Sequence, residues 1–107
     1  MRPNQDMVNV MLNVEEILKK LRELKPELTE RYKVRDIGLF GSFARQEQRL
    51  DSDIDLLVEF GDEADLFDLI GLSLYLEEVF GCSVDVVPRK ALREELREAV
   101  LQQVVTV

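Results

Sequence analysis

The sequence contains no histidine. That excludes histidine acid/base catalysis, a Ser-His-Asp triad and any imidazole metal site. It contains one cysteine, Cys82, so an internal disulfide and a cysteine-rich zinc site are excluded too. A lone thiol suits a reducing cytoplasm. No apolar run approaches the length of a membrane span, and residues 1–14 carry no small-residue cleavage signature of a secretory signal. Positive charge is missing from one long stretch: residues 51–87 hold eleven acids and no base. That block sets the net charge of −8. It repels phosphate backbones, which argues against general nucleic-acid binding, and it attracts divalent cations.

What is present fits one folded unit. The chain has 107 residues, 46% of them apolar and 34% charged, the composition of a globular domain. A single domain over 1–107 is expected, with an N-terminal helical segment, 1–33, ahead of a core, 34–107. Met11, Val14, Ile17, Leu18, Leu21 and Leu24 recur at helical spacing. Pro26 is expected to break that helix or to start a second short turn over 27–31. Residues 34–40 read as a strand that ends at Gly41-Ser42, with Ser42 capping a short helix over 43–48. Residues 53–60 alternate as a second strand, with Ile54, Leu56, Val58 and Phe60 on one face and Asp53, Asp55, Leu57 and Glu59 on the other. A helix over 65–80 carries Leu66, Phe67, Leu69, Ile70, Leu74, Leu76, Val79 and Phe80, and Gly81 stops it. Residues 83–87 form a third strand before Pro88. Leu92, Leu96, Ala99 and Val100 mark a last helix, and 104–107 make a short strand or a docked tail. This order predicts an α/β (α+β) fold, a small mixed sheet with helices packed on one face.

Three features carry chemistry. Gly41-Ser42 stands where a strand meets a short helix, where glycine permits close backbone approach and free N–H groups suit a phosphate. Alone it also describes an ordinary strand-to-helix turn with a serine cap. Asp53-Ile54-Asp55 places two carboxylates on one face of a strand, about 6.5–7 Å apart. That spacing suits hard divalent cations and the paired Mg²⁺ of phosphoryl chemistry; alone, it also fits a solvated strand edge. Asp85 lies inside an apolar strand, where an acid is uncommon without a partner or a metal; the alternative is the exposed face of an edge strand. If the third strand lies beside the second, Asp85 joins the face of Asp53 and Asp55. One phosphate-and-metal site then accounts for all three features.

The pattern resembles a known family. Gly41-Ser42, ten intervening residues, Asp53-x-Asp55 and an apolar strand bearing Asp85 are similar to the nucleotidyltransferase superfamily that includes DNA polymerase β. The strings Leu39-Phe40-Gly41-Ser42-Phe43-Ala44-Arg45 and Ser52-Asp53-Ile54-Asp55-Leu56-Leu57-Val58 look like its smallest members, the minimal nucleotidyltransferases (MNT domains, MntA-type antitoxins). One departure is Gln46, where such proteins usually have glycine after Ala-Arg. If the turn needs positive φ there, the strain is of order 1 kcal/mol.

The resemblance implies that Asp53 and Asp55 hold two Mg²⁺ ions and that Asp85 binds the one nearest the attacking hydroxyl. It also implies that Gly41 and Ser42 hold the β- and γ-phosphates of ATP, the substrate. Arg45 is read equally as a contact to phosphate or acceptor and as a surface arginine; Arg49 reads as solvated. Tyr32 and Tyr75 read as packing residues and Cys82 as a small buried hydrophobe. With one domain filling the chain, the acceptor site is shallow or completed by another chain. Relatives of this kind are encoded with HEPN-type ribonuclease toxins and attach AMP to a toxin tyrosine, the type VII toxin–antitoxin arrangement. Two other readings stay open: a non-catalytic antitoxin that only covers its toxin, and a transferase acting on a small molecule such as an aminoglycoside. A homodimer through the C-terminal valines is a further expectation.

Overall fold

The structure, a computed structural model, describes residues 13–41, 44 and 53–107. Helix α1 (Val14–Tyr32) begins at a reciprocal cap. The Asn13 side chain accepts from the Glu16 N–H at 2.8 Å, and the Glu16 carboxylate accepts from the Asn13 N–H at 3.2 Å, which satisfies two donors that have no partner within the helix. Met11 lies outside the described residues. Contrary to the expectation from sequence, Pro26 does not break α1. Proline removes one backbone bond to the carbonyl four residues earlier. Here both Pro26 and Arg22 are exposed, which puts the missing bond on the solvent side of the helix, while Leu21 and Leu28 are fully buried and anchor it on either side of the gap. Lys33, at φ 61°, closes the helix with its N–H on the Leu28 and Thr29 carbonyls.

Four strands follow from the alternation: β1 (Val34–Phe40), β2 (Ile54–Phe60), β3 (Val84–Pro88) and β4 (Val105–Thr106), in the sheet order β3-β2-β1-β4. The sheet is mixed: β1 runs antiparallel to β2 and β4, and β2 runs parallel to β3. A parallel neighbour requires a crossover, which helix α2 (Leu66–Phe80) provides. Asp65 caps α2 in a second reciprocal box with Asp68, and Gly81 ends it in the left-handed region at φ 70°. A 3₁₀ turn over Arg89–Ala91 leads to helix α3 (Glu94–Gln103).

Helices α1 and α2 cover one sheet face. Ile37 and Leu39, Ile54, Leu56 and Val58, and Val84 and Val86 meet Ile17, Leu21, Leu28, Leu72, Leu76 and Phe80 in one buried cluster. Full burial of each large aliphatic side chain contributes about 1.5–3 kcal/mol. Leu57, on the opposite face with Asp55, is also buried but stands outside that cluster. The tail is a strand: Val107 N–H bonds the Ile37 carbonyl at 3.0 Å. Gly38 lets it dock, because a Cβ there would lie 2.5 Å from Val104 Cγ2 and 3.2 Å from the Val105 carbonyl oxygen.

An ion pair ties the two large helices. Lys33 Nζ stands 3.2 Å from Asp68 Oδ2. The Asp68 carboxyl is held below its ordinary range, first by the Asp65 backbone N–H and then by Lys33. Glu27 is likewise lowered, by Arg31 and then by the Tyr75 hydroxyl. A carboxyl lowered by folding stabilises the native state above its unfolded pKa of about 4, and that contribution fades as pH falls through the lowered value. Stability is therefore expected to fall as pH drops from about 5 toward about 3, and Asp68→Asn should flatten the decline. Urea midpoints across that range check it; parallel curves for the two proteins would contradict it.

Candidate active site

β1 stops at Phe40 and Gly41 turns the chain at φ 79°. Beside this turn β2 and β3 begin. In register, Phe40 faces Asp55, and Asp55 faces Asp85. Neighbouring strands lie about 4.8 Å apart, so the two aspartates are close from the backbone outward. They project from the sheet face away from α1 and α2, because their neighbours Ile54, Leu56, Val84 and Val86 all enter the core. Asp53 immediately precedes β2, and the Ile54 N–H on the Ser83 carbonyl at 3.0 Å pins the starts of β2 and β3 together. Asp53 and Asp85 are exposed and Asp55 is half-buried.

Gly41 touches this group directly. A Cβ at that position would fall on the Asp55 carboxylate, 2.9 Å from Cγ and closer still to Oδ2. A side chain there would have to displace that carboxylate, and positive φ disfavours one as well. Glycine thus brings turn backbone against a carboxylate.

Asp53, Asp55, Asp85 and Gly41 therefore gather at one end of the sheet. Ser42 and Arg45 lie outside the described residues, as do Gln46, Glu47, Arg49 and most of the short helix expected over 43–48. Among the described residues, no group of three acidic or sulfur-bearing side chains is drawn together closely enough to hold a metal ion. The strand register aligns the aspartates; their carboxylates are not closed on a common point. Their chemistry nonetheless suits a hard divalent cation, since every donor is a carboxylate oxygen.

The remaining residues singled out from sequence have structural places. Cys82 is half-buried and packs against the core. Burial pushes its thiol upward, with Asp53 and Glu77 adding to the effect, which disfavours the thiolate form that reactivity needs. The Tyr32 and Tyr75 rings lie 5.9 Å apart, Arg31 sits over both, and the Tyr75 hydroxyl donates to Glu27 at 3.1 Å. Both are packing residues between α1 and α2. One feature escaped the sequence. At the opposite end of β2 and β3, a cleft of about 560 Å³ opens between Phe60, Leu66, Leu69, Pro88, Arg89 and Arg97. Strands, helices and a 3₁₀ turn far apart in the chain build it, and no local pattern announces it.

The family model of the nucleotidyltransferase domain matches residues 21–106. The protein adenylyltransferase MntA of Thermococcus cleftensis is 44% identical over 97 residues, covering 91% of this chain and 98% of that protein. A solved structure assigned as a minimal nucleotidyltransferase superposes with a TM-score of 0.78 at 38% identity, covering 91% of this chain and 98% of the other. A chain of a toxin–antitoxin complex with AMP-PNP matches with a TM-score of 0.65 at 30% identity, covering 89% of this chain and 72% of that one.

Proposed function

Because the chain belongs to the nucleotidyltransferase domain family, we propose that it is an Mg²⁺-dependent protein adenylyltransferase. In this reading it moves AMP from ATP to a tyrosine hydroxyl of a partner toxin, a ribonuclease of the HEPN class, and acts as that toxin's antitoxin. The observation that supports it most is the alignment of Asp55 with Asp85 beside the Gly41 turn. The similarity to the Thermococcus protein adenylyltransferase and to a toxin–antitoxin complex with AMP-PNP supports it further.

Each residue has a part in this reading. Asp53 and Asp55 would hold two Mg²⁺ ions, and Asp85 the one nearer the acceptor; when bound, the ions lower the hydroxyl pKa and neutralise charge developing on the phosphate. Gly41 leaves the backbone bare so that the triphosphate approaches the turn, with Ser42 as a donor and Arg45 as a phosphate contact. Asp85 orients the tyrosine hydroxyl and draws on its proton. The tyrosine oxygen bonds the α-phosphorus, the α–β bridging bond breaks and pyrophosphate leaves. No histidine is needed, because carboxylates and cations do the proton and charge work. A single catalytic domain over 1–107 is part of this reading.

An ATP substrate and a ribonuclease partner suit a reaction in the cytoplasm. Among the described residues, no helix is long and apolar enough to cross a membrane. The mass of the toxin, co-expressed with and without this chain, tests the reading. A gain of one or more AMP units is expected. Neutralisation of the toxin at unchanged mass would overturn it in favour of a binder, and transfer to an aminoglycoside alone would make it a small-molecule enzyme.

A further inference from the structure

Helix α2 is apolar on two sides, and only one of them meets the sheet. Leu72, Leu76 and Phe80 enter the core, with Leu69 and Val79 packed at its edge. On the outer side Leu66, Phe67, Ile70 and Leu74 are 65%, 81%, 47% and 62% exposed. Residues three and four apart are neighbours on a helix surface, so Phe67, Ile70 and Leu74 form one row with Leu66 beside its start. A surface helix ordinarily turns polar residues outward. Core packing explains nothing about this row, and a contiguous exposed patch of this kind marks an interaction surface.

The charge around the row selects the occupant. With Asp62 set aside because it pairs with Arg35, Glu63 and Asp65 precede it and Glu77 and Glu78 follow it, within the block that has no base. The bases nearest its first turn are engaged: Lys33 with Asp68 at 3.2 Å, Arg35 with Asp62 at 4.0 Å and Arg89 with Glu59 at 3.6 Å. Lys90 and Arg97 line the cleft that Leu66 also borders. A second copy of this chain would set one acidic rim against another. Like-charge juxtaposition across an interface costs several kcal/mol. The complement is an apolar ridge edged by lysine and arginine.

We propose that the outer face of α2, through Leu66, Phe67, Ile70 and Leu74, is the docking surface for a partner protein with an apolar, Lys/Arg-rimmed face. That the partner is the toxin rests on the function proposed above. The surface lies on the far side of the helix layer from the sheet face of Asp55 and Asp85. A partner held there leaves the acids open, so docking and transfer are separable contacts.

A synthetic amphipathic helix of leucines and lysines, titrated into the full chain by fluorescence anisotropy, tests the surface without the toxin. The wild-type protein should bind it, and Phe67→Ser/Leu74→Ser should bind about tenfold more weakly, although its net charge is unchanged. The same helix with glutamates for lysines should not bind. Equal binding by the variant, or none by the wild type, would overturn the proposal. So would a wild-type dimer in sedimentation that the variant dissolves, since the occupant would then be a second copy. Both substitutions are at exposed positions; circular dichroism checks the fold, and Phe67→Ser alone repeats the comparison if the double variant unfolds. The variant's binding of a non-hydrolysable ATP analogue with Mg²⁺ should match wild type. Failure of both proteins to bind nucleotide would overturn the transferase reading and leave the docking result standing.

Discussion

Asp55→Asn is expected to cut AMP transfer by about 10³-fold while the protein stays folded. At about 1.4 kcal/mol per decade, that is roughly 4 kcal/mol of transition-state stabilisation, the scale of a lost metal ligand or a lost charge-stabilising contact. Asparagine keeps the size and shape of the side chain but removes its charge. Asp55 is the central member of the group, flanked in register by Phe40 on one strand and Asp85 on the other, so its loss strips the carboxylate nearest the Gly41 turn. Asparagine also keeps an acceptor oxygen at the same place. The thermal midpoint of Asp55→Asn should therefore stay close to that of wild type. Asp85→Asn should behave alike. Asp36→Asn is the control. Asp36 sits near the other end of β1 and pairs with Lys25 at 3.5 Å, so this variant should keep full transfer. Steady-state rates and melting curves on the variants check this together; normal turnover by Asp55→Asn would remove Asp55 from the site.

Gly41→Val is expected to fail on both counts, activity and stability. Its Cβ would collide with the Asp55 carboxylate, and a β-branched residue is strained at φ 79°. The left-handed region alone costs about 1–2 kcal/mol for an L-residue, and crowding adds about 1–3 kcal/mol. The collision cannot be relieved without moving Asp55, so transfer should drop by about 10²-fold or more, roughly 2.7 kcal/mol in the barrier. Gly41→Ala should show the same signs with a smaller stability loss. Denaturant midpoints and rates, measured on both variants, give the comparison. A Gly41→Val protein with wild-type transfer would show that the turn and the carboxylate do not work together.

Local chemistry made much of this fold legible. Asp65 and Gly81 bracket α2 as their cap preferences require, and the alternation in 54–58 sends Ile54, Leu56 and Val58 inward and leaves Asp55 on the other face. Placing Asp85 with Asp55 needed one tertiary fact, a parallel neighbour for β2, and a strand–helix–strand order supplies it. Other features depend on what packs where. Pro26 carries a strong local signal for a break, yet buried leucines on both sides outweigh one missing hydrogen bond. The apolar residues of α2 read as a single wide stripe, without Leu72; the structure divides them between a buried side that includes Leu72 and an outer side led by Phe67. Hydrophobic periodicity records apolar positions and not which of them finds a neighbour. The sequence likewise brings the aspartates to one face without stating how their carboxylates turn.

Cation-dependent nucleotide binding by Asp53, Asp55 and Asp85 next to Gly41 is the central claim. Calorimetric titration with a non-hydrolysable ATP analogue, with and without Mg²⁺, reads this most directly. Binding by the wild-type chain that requires Mg²⁺ and disappears in Asp55→Asn/Asp85→Asn is the predicted result. Binding that is indifferent to the metal, or that survives loss of both carboxylates, would contradict it.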